Sequence, residues 1–197
     1  MKTLKQTWIN LMKEIVSKKE TNVVEDDYIE LQGKNITFSF NNCFELSKDK
    51  QINDDFLEMQ KVFFSNNENI FGHSYFNSMK TPFSDIKSPV DAIVKKMSEN
   101  LYTRNAVLLF TPYGNNKLPC INSIQFLYRK NKLNMFFTAR SQDIYRKFPC
   151  DVMCFSLIAK EIAEKLNLKL GYIKANIISA HIYLRDVENV NKRIENI

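Results

Sequence analysis

The sequence has no run of 18 apolar residues, so no membrane-spanning helix is expected. The first residues, MKTLKQTWINLMKEIV, scatter lysines among apolar positions and have no clean apolar segment ahead of a small-residue cleavage site. They are not expected to act as an export leader. Histidine is scarce, with two in 197 residues, and neither lies near the cysteines in sequence. The four cysteines (Cys43, Cys120, Cys150 and Cys154) match no zinc spacing. Without a leader they are expected to be reduced thiols in a cytoplasmic protein. Cys150 and Cys154, four apart on an expected helix, read as small buried core residues, and no metal is expected. Repeats and low-complexity linkers are also missing, so residues 1–197 are expected to form a single domain with one sizeable core. The formal net charge is +6, but the lysines fall in short local clusters and no basic run interleaves with aromatics. Nucleic-acid binding is therefore not expected; attraction of a small phosphorylated substrate needs only two or three such charges.

Apolar residues make up 44% of the chain and aromatics 12%, the composition of a globular protein. Leu4, Trp8, Leu11, Ile15 and Val16 recur at helical spacing and predict a helix over 3–18. Tyr28–Leu31 and Ile36–Phe40 read as two short strands around a Gly33-Lys34 turn. Asp54 is the expected N-cap of a helix carrying Phe56, Met59 and Phe63. Ser88-Pro89 opens a further helix, with Ser at the N-cap and Pro at the first position. Ala106–Phe110 reads as a buried strand, and Tyr113–Asn116 as a loop. Ile121–Tyr128 and Leu133–Thr138 pair around a tight Lys130-Asn131 turn. Val152–Leu166 is a helix apolar on most sides and belongs at the centre. A strand over Tyr172–Tyr183 and a short charged helix from Asp186 complete the chain. This order predicts an α+β fold with a mixed or mostly antiparallel sheet.

The stretch from Leu118 to Asp151 holds the candidate chemistry. Cys120 follows Pro119 at a loop–strand junction, and Arg140 closes the strand expected to pair with it. A guanidinium beside a thiol lowers its pKa and favours the nucleophilic thiolate. Spacing alone leaves this open against a buried structural cysteine and a surface arginine. Arg140-Ser141 and Arg104 offer the forks and hydroxyl that suit a phosphate monoester, or are solvated turn residues. Asp151 also reads as the N-cap of the central helix, and Asp143 as a turn residue. His181 and Tyr183 alternate along a strand and so share one face; such a pair can grip a sugar hydroxyl or be core.

Leu118-Pro119-Cys120, Gln125-Phe126, Lys132-Leu133, Arg140-Ser141-x-Asp143, Pro149 and Ala180-His181-Ile182-Tyr183 together resemble thymidylate synthase in order and spacing, over roughly residues 86–190. The resemblance implies a three-layer α/β/α fold with a large bent sheet at a homodimer interface. It implies that Cys120 adds to C6 of a pyrimidine ring and makes C5 nucleophilic toward a one-carbon unit carried by 5,10-methylenetetrahydrofolate. Arg140 and Ser141 would bind the 5′-phosphate, with Arg140 also poising the thiolate. Asp143 would meet the base through its backbone, and His181 and Tyr183 would hold the 3′-hydroxyl. Arg104 would reach the partner subunit's phosphate. Glu58 is the one candidate for the family's catalytic glutamate in the shortened 52–70 segment.

Several positions depart from the family pattern. Asp151 stands where the family has Asn, and family members acting on cytidylate carry Asp there. A carboxyl can pair with the amino group and N3 of cytosine. Asn105, Ile121, Ala139 and Phe71 replace an arginine, a histidine, a glutamine and a tyrosine. Lys147 replaces a glycine on the folate side, no arginine appears in the Lys19–Asp27 loop, and the family's C-terminal segment has no counterpart. The expected function is C5 methylation or hydroxymethylation of a pyrimidine nucleoside monophosphate, cytidylate over uridylate. The alternatives are a specialised nucleoside or base-modification pathway and a non-catalytic nucleotide-binding module.

Overall fold

The computed structural model describes residues 1–17, 22–23, 27–68, 74–81, 88–112 and 118–195. The expected Tyr113–Asn116 loop, the Phe71-Gly72 pair and most of the Lys19–Asp27 segment lie outside the described residues. Leu4, Trp8, Leu11 and Ile15 form the buried stripe of α1 (Leu4–Ser17). After β1 (Asn22–Val23), the two short strands expected are one: β2 runs unbroken from Tyr28 to Ser39. Gly33 makes no turn there. It takes φ 63° in mid-strand, a conformation that glycine adopts without steric cost. The next helix, α2 (Lys50–Phe64), starts earlier than expected. Asp49, not Asp54, is its N-cap, and its carboxylate accepts from the Ile52 amide at 3.2 Å. The buried stripe Ile52, Phe56, Met59 and Phe63 therefore begins one turn ahead of Phe56.

A single turn, α3 (Tyr75–Ser78), leads into β3 (Met79–Lys80). Then comes α4 (Pro89–Glu99), capped by Ser88 with Pro89 in the first turn as its sequence predicts. β4 (Val107–Phe110) precedes a hairpin of β5 (Ile121–Arg129) and β6 (Lys132–Asp143). Lys130 and Asn131 at its tip have φ 52° and 59°, the two-residue turn whose twist matches the strands it joins. α5 (Phe148–Lys165), β7 (Leu170–Tyr183) and α6 (Val187–Glu195) follow. The described strands form one mixed sheet in the order β1-β2-β7-β6-β5-β4-β3. Every neighbouring pair is antiparallel except β6 and β7. A parallel pair needs a crossover, and α5 supplies it. α5 packs on β6 and β7 from one side and is covered by α2 and α4 from the other. Its Phe155 ring lies 5.1 Å from Phe137 of β6 and 5.4 Å from Phe63 of α2. Burying each such ring contributes roughly 1.5–3 kcal/mol. The fold is α+β, and no described helix is long and apolar enough to cross a membrane.

β6 extends beyond the expected Thr138 because β7 offers it a parallel partner through Ser141–Ser179 to Asp143–His181. Arg140 and Ser141 thus sit inside the strand, and Asp143 is its last residue. Pairing passes from Lys34–Ile177 to Gln32–Ser179 and from Ala139–Ile177 to Ser141–Ser179, so Gly33, Ile178 and Arg140 lie in one row across the sheet. Burial changes parity at this row. In β7 it moves from Ile173, Ala175 and Ile177 to Ala180 and Ile182; in β6 it moves from Phe137 and Ala139 to Gln142. Side chains beyond the row exchange faces. That exchange turns Gln142 toward α5.

At the other end of β7, a methyl group on Gly171 would lie 2.0 Å from Asn134 Oδ1, which accepts from the Tyr172 amide at 3.2 Å. Gly171→Ala is expected to displace this buried amide and destabilise the protein by about 1–3 kcal/mol in urea unfolding. An unchanged unfolding midpoint would show that the close approach has no energetic consequence.

Candidate active site

Ile121 of β5 pairs with Ala139 of β6, which sets Cys120 opposite Arg140, and the Arg140 amide donates to the Cys120 carbonyl at 2.9 Å. The Arg140 side chain closes over the same segment. Its Nε donates to Pro119 O at 3.1 Å and its Nη2 to Leu118 O at 2.8 Å, leaving Nη2 3.9 Å from Cys120 Sγ. Strand pairing thus brings the thiol and guanidinium together as expected. Burial pushes the Cys120 thiol above its ordinary pKa, the guanidinium pulls it back, and Asp151 adds to the rise. The pull expected of Arg140 is present, and burial outweighs it.

Cys120 and Arg140 line a cleft of about 850 Å³ together with Ser141, Asp143, Asp151, His181 and Tyr183. His181 Nδ1 is 3.4 Å from Ser141 Oγ, and the His181 ring stands edge-on to Tyr183 at 5.3 Å. Burial holds His181 below its ordinary pKa despite nearby Asp143 and Glu30. Burial also raises the Asp143 carboxyl, whose Oδ1 accepts from the Arg146 amide at 2.9 Å. Arg146 in turn makes a two-point ion pair with buried Asp186, at 2.7 and 2.5 Å, tying the β6–α5 turn to the end of β7. The same turn is anchored from below by Trp8 Nε1, which donates to Ile144 O at 2.6 Å.

Asp151 is not the N-cap of α5. The helix begins at Phe148 after Lys147, and Asp151 lies within the first turn, 3% exposed. Its Oδ2 accepts from Gln142 Nε2 at 2.7 Å, while its Oδ1 and Gln142 Oε1 are buried without a hydrogen-bond partner. Burial pushes the Asp151 carboxyl up to about 7, against the pull of Gln142 and Lys147. Cys150 and Cys154 on the same helix are buried free thiols.

Two of the expected site residues stand apart from the cleft. Glu58 projects from the solvent face of α2, 71% exposed and ion-paired with Lys61 at 2.5 Å, so it does not reach Cys120's surroundings. Its neighbour one turn back, Asp55, lines the cleft with Gln51 and Met59 on one stripe of the helix. Arg104 is exposed between α4 and β4, where its carbonyl accepts from Gln125 Nε2 at 2.7 Å. Sequence reasoning also missed Tyr75 and Gln142. Tyr75 stacks on Phe63 with ring centroids 4.4 Å apart, lines the cleft, and feels Asp151, Cys120 and Arg140 electrostatically. Gln142 is the unspecified residue of Arg-Ser-x-Asp, and period-two alternation aims it away from Ser141 and Asp143. Only the parity change in β6 brings it to the cleft.

Comparison with known proteins gives the family. The thymidylate synthase family model matches residues 39–197, and the chain belongs to the thymidylate synthase family. It is 26% identical over 147 residues to a putative thymidylate synthase of Methanocaldococcus jannaschii, covering 68% of this chain and 66% of that protein. A putative thymidylate synthase of Methanosarcina barkeri is 30% identical over 112 residues, 53% of this chain and 52% of that one. The thymidylate synthase of Bacillus licheniformis is 26% identical over 125 residues, 61% of this chain and 45% of that one. The chain thus spans about half to two thirds of the length of these curated relatives. The solved structure of thermostable thymidylate synthase A from Bacillus subtilis superposes with a TM-score of 0.68, over 96% of this chain and 83% of that chain at 19% identity, a likeness of fold.

Asp151 also sets a pH dependence of stability. Its folded-state pKa is about 7, against an ordinary 3.8. Below the ordinary value both folded and unfolded chains hold the proton. As pH rises toward 7 the unfolded chain releases it and the folded chain keeps it, so stability falls across this window by up to about 4 kcal/mol and then levels off. Asp151→Asn is expected to be near-neutral in urea unfolding around pH 4 and stabilising by roughly 1–4 kcal/mol at pH 8. The same difference at both pH values would contradict a buried protonated carboxyl.

Proposed function

We propose that the chain is a compact thymidylate-synthase-type enzyme that modifies C5 of a pyrimidine nucleoside monophosphate, cytidylate in preference to uridylate. One observation carries this reading. The Cys120 thiol lies 3.9 Å from the Arg140 guanidinium, in the same cleft as Ser141, His181 and the buried Asp151. Arg140 and Ser141 bind the 5′-phosphate, and His181 and Tyr183 take the 3′-hydroxyl. Asp143 meets the base through its backbone and Asp151 through its carboxyl. A bound phosphate dianion draws Arg140 toward itself, and the guanidinium remains near enough to favour the thiolate. Cys120 Sγ adds to C6, and the ring electrons displaced to C5 make that carbon nucleophilic. Once C5 has bonded to an electrophile, a deuteron in solvent exchange or the one-carbon unit in the full reaction, loss of the original C5 proton and expulsion of the thiolate restore the ring. Asp55, not Glu58, is the carboxylate that α2 offers to this chemistry.

The cleft volume, about 850 Å³, lies near the upper end for small-molecule sites and exceeds the needs of one mononucleotide. Gln51, Tyr145, Lys147 and Asn189 line further parts of it. A folate fits this set, with the Lys147 ammonium suited to its carboxylates. Bound there, 5,10-methylenetetrahydrofolate supplies a one-carbon unit at the oxidation level of formaldehyde. Transfer of that carbon to C5, with tetrahydrofolate leaving and water adding as hydroxide and proton, would make the reaction hydroxymethylation, which tolerates an open site. A homodimer is part of the proposal. The sheet face away from α5 carries Leu127, Phe136 and Ile178, the last 50% exposed, and Arg104 stands outside its own cleft where it can serve a partner's phosphate. We place the protein in the cytoplasm, where its four thiols stay reduced.

Incubated with cytidylate or deoxycytidylate in deuterated water, the protein is expected to exchange the C5 hydrogen, read by proton NMR. Cys120→Ser is expected to slow exchange by at least about a thousandfold. Absence of exchange with every pyrimidine monophosphate, folate added, rejects the enzymatic reading. The burial that raises the Cys120 pKa favours one second reading, a nucleotide-binding module without turnover. Under it, Cys120→Ser keeps full ligand affinity and the wild type exchanges nothing.

A further inference from the structure

Gln142 is 3% exposed and lines the cleft beside Asp151, also 3% exposed. Their one mutual hydrogen bond, Nε2 to Oδ2 at 2.7 Å, leaves Gln142 Oε1 and Asp151 Oδ1 buried and unpartnered at the same place. Buried polar atoms without partners are rare in folded proteins, and two on hydrogen-bonded neighbours that both line one cleft point to a ligand that satisfies both. We propose that Gln142 is the residue that sets base choice: its Oε1 and Asp151 Oδ1 together read the 4-amino, N3 edge of a cytosine ring. This rests on the cleft being a pyrimidine nucleotide pocket.

The argument is one of donors and acceptors. A protonated carboxyl acting alone does not discriminate. It donates to N3 and accepts from the amino group of cytosine, or accepts from N3–H and donates to O4 of uracil. Gln142 removes that freedom by occupying Oδ2 with its amide N–H. What remains toward the ligand is Oδ1, which donates to N3 when Asp151 is protonated, and Oε1, which can only accept. Cytosine meets this pair as it stands, with N3 on Oδ1–H and one amino hydrogen on Oε1. Uracil sets O4 against Oε1, two acceptors face to face. Turning the Gln142 amide over relieves that contact only if the Asp151 proton moves to Oδ2 at the same time. The arrangement therefore favours the amino edge through its preorganisation.

The proton comes from Asp151 itself, whose burial keeps its pKa near 7. Lys147, just ahead of α5, pulls that value down and Asp143 on β6 pushes it up. Asp151 in turn raises Cys120 ahead of β5, Tyr75 of α3, and Cys150 and Cys154 of α5; Asp55 of α2 acts on Cys150. Cytidylate binding is expected to weaken as pH rises through about 7.

Calorimetric binding of cytidylate, uridylate and the 2-pyrimidinone nucleotide, which lacks the 4-substituent, tests this on the wild type and on Gln142→Met. The wild type is expected to bind cytidylate at least roughly tenfold more tightly than either other ligand. In Gln142→Met the preference over uridylate is expected to shrink to about twofold, and loss of the amino group to cost correspondingly less. A preference unchanged in Gln142→Met overturns the proposal. So does a wild type that binds cytidylate and the 2-pyrimidinone nucleotide equally, a comparison that needs no variant and stands if Gln142→Met does not fold. Binding of uridylate as tight as cytidylate overturns it while leaving the nucleotide pocket in place. Binding of no pyrimidine monophosphate removes the pocket reading as well.

Discussion

Arg140 holds the site together. Its guanidinium gathers the Leu118 and Pro119 carbonyls and approaches the Cys120 thiol, while its backbone amide bonds the Cys120 carbonyl. These contacts need Arg140 at its place in β6, in the row where Gly33, Ile178 and Arg140 cross three strands. That row exists only because β6 continues past Thr138 against a parallel β7, and the parallel pair needs α5 as its crossover. The helix that closes the core is thus also the element that extends the strand carrying Arg140 and brings β7 beside it.

The same helix introduces a group that costs stability, the buried Asp151 carboxyl. A carboxylate in the first turn of a helix gains from the unpaired amides and the dipole, worth about 0.3–1 kcal/mol at a surface. Asp151 sits in that turn, yet its pKa is raised, so desolvation exceeds the dipole, the Gln142 bond and Lys147 combined. An asparagine would fit the same space without that cost. Stability lost to a buried acid, with its own Oδ1 and the neighbouring Gln142 Oε1 unpartnered, is the pattern of a site organised for a ligand rather than for the fold.

Much of this was readable in the sequence wherever a local rule acts alone. The α1 stripe, the Ser88-Pro89 helix start and the Lys130-Asn131 turn need only periodicity, capping and positive φ. The Cys120–Arg140 meeting needed one hairpin, and the hairpin was plain. What escaped depends on long-range pairing. Gly33 looks like a turn because glycine permits one, and only its pairing with β7 shows that the strand continues. β6 looks finished at Thr138 because its last residues are polar, as residues at a cleft must be. Gln142 was hidden by the parity change, which alternation within β6 cannot reveal. Glu58 and Asp55 are both acidic on one helix, and the helix phase, set by Asp49 and the Ile52–Phe63 stripe, decides which faces inward.

The charge balance of the cleft shows why the overall +6 says little about the site. Asp55, Asp143, Asp151 and Asp186 line it against Arg140, Arg146, Lys147 and Arg185, formally a neutral set. Arg146 and Asp186 cancel in their two-point pair. Burial pushes Asp143 and Asp151 toward their neutral forms. With Asp151 largely protonated below about 7, the set left is Arg140, Lys147 and Arg185 against Asp55 and Asp143, a local excess of positive charge. A phosphate dianion entering the cleft therefore meets attraction produced by withholding negative charge more than by adding positive charge. Because Asp151 recovers its charge as pH rises past about 7, that attraction weakens over the same range in which the carboxyl stops donating to a base. In the proposed site, phosphate binding and base reading are thereby tied to one proton.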